Sequence, residues 1–233
     1  MPRQMWFDRA SSPSEVADLI PLGASVFIHG AAATPVSLVD AIAARTDLEG
    51  VTLYHLHTSG TASFVAPEVA NRLRSVSFFV GEDVRKAVLE GRADFMPVFL
   101  SDIPALFQSG AIPLDVAVIQ CSPPDRHGYV SLGTSVDAAR AAVDHAGIVV
   151  AEINLRMPRT HGPSSLAFER ITAFTCTDRP LHQTPRVPET AVEARIGELV
   201  AGLVEDGACL QAGIGAIPDA VLARLGNRVE LGL

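Results

Sequence analysis

Short apolar runs recur along this chain, separated by stretches whose apolar residues fall on one helical face, and that alternation confines it to one class of fold. Runs at 25–29, 51–55, 76–80, 94–98, 116–120, 148–153, 171–174 and 208–211 are strand-length and mostly apolar, as strands covered on both faces are. Between them lie helix patterns. Residues 35–45 place Val36, Val39, Ile42 and Ala43 on one face, with Thr34 as the expected N-cap and Pro35 at the first helical position. Residues 82–90 have similar spacing and end at Gly91, a natural helix terminator. The expected fold class is α/β, an open and mostly parallel sheet with flanking helices.

Composition narrows the partners. The chain has 233 residues, of which 48% are hydrophobic, ample for a buried core. Lys and Arg number 18 against 26 Asp and Glu, a net charge of -8, and no basic run could neutralise a phosphate backbone, so no nucleic-acid partner is expected. Cys121, Cys176 and Cys209 lie far apart with no CxxC, which fits reduced thiols. The opening MPRQMWFDRASSPSE has no apolar signal core, and no apolar run is long enough to cross a bilayer. A cytoplasmic protein without a membrane partner is expected.

Residues 177–190, TDRPLHQTPRVPET, carry Pro180, Pro185 and Pro188, which stiffen a chain and remove ladder donors. This divides the chain into a first domain over 1–180, a Pro-rich linker over 181–189 and a second segment over 190–233. Across the linker the sequence repeats itself weakly. Residues 19–45 and 203–225 each run from a helix end through Gly-Ala, an apolar strand and a small-residue loop to a Pro near the start of an Ala/Leu/Val helix. Gly23 matches Gly207, and Pro35 matches Pro218. A further strand follows each helix, at 51–55 and 229–233, so the second copy is expected to be the opening βαβ of another domain.

Several motifs could carry chemistry. His55 and His57 share a strand face at i, i+2, but no third ligand is identifiable nearby, so no metal is expected. Cys121 lies six residues before His127, yet the intervening Pro123-Pro124 and Asp125 to Gly128 read as a turn rather than as thiol machinery. The stretch QAGIGAIPDAV, 211–221, offers Gly213 and Gly215, where a backbone can turn with positive φ and approach a ligand closely. It lacks the third glycine of GxGxxG and sits in no complete dinucleotide unit.

Five strings, SPPDRHGYVSLGTSVDAAR (122–140), MPRTHG (157–162), LHTSG (56–60), FLSDIPALFQSGAIPLDVAVIQ (99–120) and QAGIGAIPDAV, together resemble the acetyl-CoA hydrolase/transferase family, which includes 4-hydroxybutyrate, succinate and acetate CoA-transferases. The likeness implies α/β domains of the NagB/RpiA/CoA-transferase type. It implies transfer of CoA between a short-chain acyl-CoA (acetyl-, butyryl- or 4-hydroxybutyryl-CoA) and a carboxylic acid through a glutamyl-CoA intermediate. Coenzyme A enters as acyl-CoA substrate, and a homo-oligomer is expected. By the same likeness Gly213, Ile214, Gly215, Ala216 and Ile217 line the CoA site near the thioester, where backbone N–H groups can hold an oxyanion. Arg159, Thr160 and His161 would contact CoA phosphates or the carboxylate substrate, or else brace an interface.

No catalytic residue is assigned within the chain. The family's nucleophilic glutamate falls a few residues beyond Leu233, and Glu230 reads as an ordinary strand-end charge. Residues 1–233 alone are therefore expected to be inactive, with 190–233 the least stable part. A catalytically silent CoA- or acyl-CoA-binding protein and an acetyl-CoA hydrolase are the alternatives. Ser59 stands where many relatives carry Glu, which leaves the acid substrate open.

Overall fold

The computed structural model describes residues 6–183, 185 and 187–232. The chain divides into two compact units, one up to Gln183 and one from Thr184 onward. In the first unit the strands are β1 (Ser25–Ile28), β2 (Val51–His55), β3 (Leu73–Ser77), β4 (Ala93–Phe95), β5 (Val116–Cys121), β6 (Tyr129–Ser131), β7 (Ile148–Asn154), β8 (Ser165–Ala167) and β9 (Ala173–Thr177). Seven of them form one sheet in the order β4-β3-β2-β1-β5-β7-β9, with every neighbouring pair parallel. The expected open parallel α/β sheet is thus what the chain forms.

Both faces of the sheet are covered, which is why its strands read as apolar runs rather than as alternating ones. On β1, Val26 and Ile28 enter one core and Phe27 the other. On β5, Val116 and Val118 join the first of these cores while Ala117 and Ile119 join the second. The helices supply the covering layers. They are α1 (Pro13–Ala17), α2 (Val36–Ala44), α3 (Glu82–Leu89), α4 (Ile103–Gln108) and α5 (Ala139–His145). Helix α1 starts with a reciprocal cap, since the Glu15 N–H donates to Ser12 Oγ at 3.2 Å and the Ser12 N–H to the Glu15 carboxylate at 2.8 Å. Helix α3 is followed by Gly91 at φ 71°, as its sequence anticipates. No helix among the described residues is long and apolar enough to cross a membrane.

Several expectations shift, among them the strand at 94–98, which lies at Ala93–Phe95. Thr34 does not cap α2; the cap position is Pro35, and the Thr34 hydroxyl turns back to donate to the Ala31 carbonyl at 2.8 Å. The strand placed at 76–80 lies at Leu73–Ser77, because pairing with β2 selects a stretch whose Arg74 and two serines hide its character. The chain leaves the sheet through Phe78, Phe79 and Val80. Strand β9 likewise starts later than 171. The two-stranded antiparallel sheet of β6 and β8 has no counterpart in the sequence reading.

The second unit contains α6 (Ala191–Ala201) and α7 (Ala216–Leu222). Thr190 and Glu193 form the same reciprocal cap on α6 that Ser12 and Glu15 form on α1. In place of the strand at 208–211 there is a single parallel bridge, Cys209 to Gly232. Leu233, with Thr184 and Arg186 of the linker stretch, lies outside the described residues. The backbone bonding of this unit copies that of the first. Gly23 N–H donates to Glu49 O and Thr52 N–H to Ala24 O, while Gly207 N–H donates to Val229 O and Gly232 N–H to Ala208 O. The bridge pair Cys209 and Gly232 occupies the register of Ser25 and Thr52. Gly23 and Gly207 share positive φ, at 69° and 76°. An arginine reaches an equivalent alanine carbonyl in each unit, Arg45 to Ala17 and Arg228 to Ala201.

Candidate functional site

In an open parallel sheet, ligands bind beyond the carboxyl ends of strands where the strand order reverses. Here that point lies between β1 and β5. The loops leaving β1, β2, β5 and β7 therefore define the crevice, and their conformations are tightly specified.

The β1 loop has no room for a side chain at Gly30, where a Cβ would stand 2.6 Å from the His57 carbonyl oxygen. Ala31 follows at φ 52°, a left-handed conformation held by donation of its N–H to the same carbonyl at 2.8 Å. Thr34 Oγ1 accepts the Ser59 N–H at 2.9 Å, so the β1 and β2 loops are laced together twice. Thr58 in turn donates to Asp83 at the start of α3, at 2.5 Å.

Beneath the loops lies a buried polar layer. Glu152 on β7 is fully buried; its carboxylate accepts from Arg179 Nε at 2.7 Å, from the Ser37 hydroxyl at 2.5 Å and from the Ser37 N–H at 3.0 Å. Arg179 also donates from Nη2 to the Thr34 carbonyl at 2.7 Å, which Gln120 Nε2 reaches at 2.8 Å. Asn154 Nδ2 donates to Gln120 Oε1 and to the Arg179 carbonyl. These residues lie near the carboxyl ends of β5 and β7 and just after β9. The sequence carried one signal of them: a carboxylate inside the run IVVAEIN, which a strand buried on both faces admits only with a partner.

Two histidines belong to the same framework. His29 follows β1 fully buried; its Nε2 donates to the Ser135 carbonyl at 2.6 Å and its Nδ1 accepts the Gln120 N–H at 3.3 Å. Burial, partly offset by Asp137, holds its pKa below the usual imidazole value. His55 donates from Nδ1 to the Leu56 carbonyl at 2.7 Å and accepts the Ser75 hydroxyl at Nε2 at 2.8 Å. Burial pushes it down to about 4, so it is neutral at pH 7 with both ring nitrogens committed. His57 instead sets its ring edge against Phe79, with ring centroids 5.7 Å apart.

The 122–133 loop is a braced turn. Asp125 Oδ1 accepts the N–H groups of His127 and Tyr129 at 2.8 and 3.0 Å, and Gly128 has φ 82°. Arg159 donates from Nη2 to the carbonyls of Pro123 and Tyr129 at 3.0 and 2.8 Å and stands 3.5 Å from Asp125. Thr160 donates its N–H to Ser131 Oγ at 3.1 Å and its hydroxyl to the Gly133 carbonyl at 2.8 Å. His161 is exposed. Of the MPRTHG trio, two side chains hold the neighbouring loop and the third faces solvent. Cys121 is buried, and burial raises its thiol pKa well above the ordinary value, which leaves it a packing residue.

In the second unit, residues 211–217 are all exposed, and Ile214 is 85% exposed. Gly215, at φ 117°, precedes α7, whereas Gly213 is not among the positive-φ glycines, and a Cβ there would meet only Pro218 at 3.9 Å. The loop's turn rests on one glycine.

Together these features define an open parallel α/β protein whose switch-point loops are braced to one another. The family follows from comparison: residues 2–173 match the acetyl-CoA hydrolase/transferase N-terminal domain, and the chain belongs to that family. It is 45% identical over 228 residues to a succinyl-CoA:acetate/propanoyl-CoA:succinate CoA transferase of Fasciola hepatica, covering 96% of this chain and 47% of the relative. The solved structure of RipA from Yersinia pestis superposes with a TM-score of 0.88 at 28% identity, over 100% of this chain and 57% of that one. A 4-hydroxybutyrate CoA-transferase from Porphyromonas gingivalis gives a TM-score of 0.78 at 34% identity, over 99% and 55%. The chain spans about half the length of the curated relatives it matches.

Proposed function

We propose that this chain is the first domain, with the opening βαβ of a second, of a CoA-transferase that moves CoA between a short-chain acyl-CoA and a carboxylic acid. The observation that carries this reading is the likeness, along nearly the whole chain, to relatives named as CoA-transferases. In the proposed reaction a glutamate carboxylate attacks the thioester carbonyl and expels CoA as thiolate, leaving an acyl-glutamyl anhydride. The thiolate then attacks the glutamyl carbonyl, releasing the first acid and leaving glutamyl-CoA, and a second acid reverses the sequence. In this reading the glutamate lies beyond residue 233. Gly213 to Ile217 would present backbone to the CoA thioester; the exposure of 211–217 and the turn at Gly215 support that role. Arg159 and Thr160 act as braces for the 122–133 loop, and His161, the exposed member of the trio, would be the one to contact substrate. The protein works in the cytoplasm as a homo-oligomer in this reading.

The test is an assay of residues 1–233 with acetyl-CoA plus acetate, succinate or 4-hydroxybutyrate, beside the product of the reading frame wherever it continues past residue 233. Transfer in the second and none in the first is expected. Turnover by 1–233 itself overturns the need for the absent glutamate, and no transfer by the longer product overturns the activity.

A further inference from the structure

We infer that Arg179 is a positioning residue for the crevice, acting through the Thr34 carbonyl to fix the β1 and β2 loops. Three observations carry this. The guanidinium is divided between two tasks: Nε pairs with the fully buried Glu152 at 2.7 Å, and Nη2 donates to the Thr34 carbonyl at 2.7 Å. Thr34 is the node of the crevice loops, since its hydroxyl donates to Ala31 O at 2.8 Å and accepts the Ser59 N–H at 2.9 Å. Ala31 occupies a left-handed backbone that an alanine keeps only when its surroundings impose it, and its N–H is spent on His57 O. Arg179 stands two residues past the end of β9, and its own carbonyl accepts from Asn154 at 3.0 Å. Charge alone does not explain the arrangement, because a cation serving Glu152 needs only one donor, whereas this one spends a second on the main-chain carbonyl of Thr34.

The inference goes beyond the proposed reaction and stands on geometry alone, so its test does not depend on activity. Removing only the arginine leaves a buried carboxylate without its cation, which destabilises any protein and says nothing about loops. The decisive variant is the double substitution Glu152→Gln with Arg179→Met, which removes both charges together. Its expected thermal midpoint lies close to that of the parent, while the amides of Ala31 and Ser59 exchange at least about tenfold faster and those of β5 and β7 are unchanged. Arg179→Lys, which keeps the charge but not the fork, serves if the double variant does not fold; it is expected to retain stability and to show the same selective loss of protection. Unchanged exchange at Ala31 and Ser59 in a folded variant overturns the inference. So does acceleration of every amide in equal proportion, which would make the pair a structural element only.

Discussion

His55 shows how one side chain can make stability depend on pH without any role in chemistry. Its folded-state pKa of about 4 lies below the ordinary 6.5, so between these values the unfolded chain binds a proton that the folded one refuses. Stability from this group is therefore complete above about pH 6.5 and lost as pH falls towards 4, by on the order of 3 kcal/mol. Urea unfolding at pH 7 and pH 4.5 measures it. His55→Gln is expected to be less stable at pH 7 but to show a shallower pH slope, with His29 and carboxylates such as Asp125 and Glu193, whose pKa values are also lowered, contributing to what remains. At this scale the sequence was informative about identity but not about duty. His55 closes β2 and His57 follows two residues later, yet one is locked between Leu56 O and Ser75 while the other sits against Phe79. Nothing in the spacing says which neighbour each will find.

Helices α6 and α7 approach each other closely at Gly197. A Cβ on Gly197 would stand 2.7 Å from the Ala220 carbonyl oxygen, so the two backbones meet where no side chain intervenes. Gly197→Ala improves helix propensity by up to about 1 kcal/mol, and the clash outweighs it. The expected outcome is loss of amide protection across α6 and α7, with the first unit's melting unaffected; hydrogen exchange read separately on the two units checks it. Strands were the most legible elements where both faces are buried, as in β5 and β7, because burial on two sides leaves a continuous apolar run. They were misplaced where the sheet edge tolerates polar residues. β3, with Arg74 paired to Asp94 on β4, shows why: its pattern is set by strand neighbours that no local window contains.

Two units of unequal self-sufficiency make up the molecule. The first buries two cores against a seven-stranded sheet; the second, among its described residues, has two helices, one bridge and exposed Val192, Leu199, Leu203, Ile214 and Val229. Residues 190–233 are expected to open at lower free energy than the sheet strands, measurable as hydrogen exchange at a constant pH; protection equal to that of β5 in a monomer would sink this. The repeat that links the units was faint in residues yet is plain in hydrogen bonds, since Gly23 and Gly207 share a backbone state while most side chains around them differ. The family-bearing strings pointed to the fold directly. Of the crevice's support only Glu152, a carboxylate inside an apolar run, left a trace, because Thr34, Gln120, Glu152 and Arg179 are brought together only by the sheet order.

That assembly has a consequence for the order in which the protein can be made. Strand β7, carrying Glu152, is complete at Asn154, but the cation that neutralises its carboxylate arrives only with Arg179, after β9. A ribosome-bound chain that has exposed β1 to β7 has every strand of the switch point and still holds an acid with no counter-charge. Burying that carboxylate before Arg179 emerges is unfavourable. The crevice's support is thus expected to close only once Arg179, two residues beyond β9, has emerged.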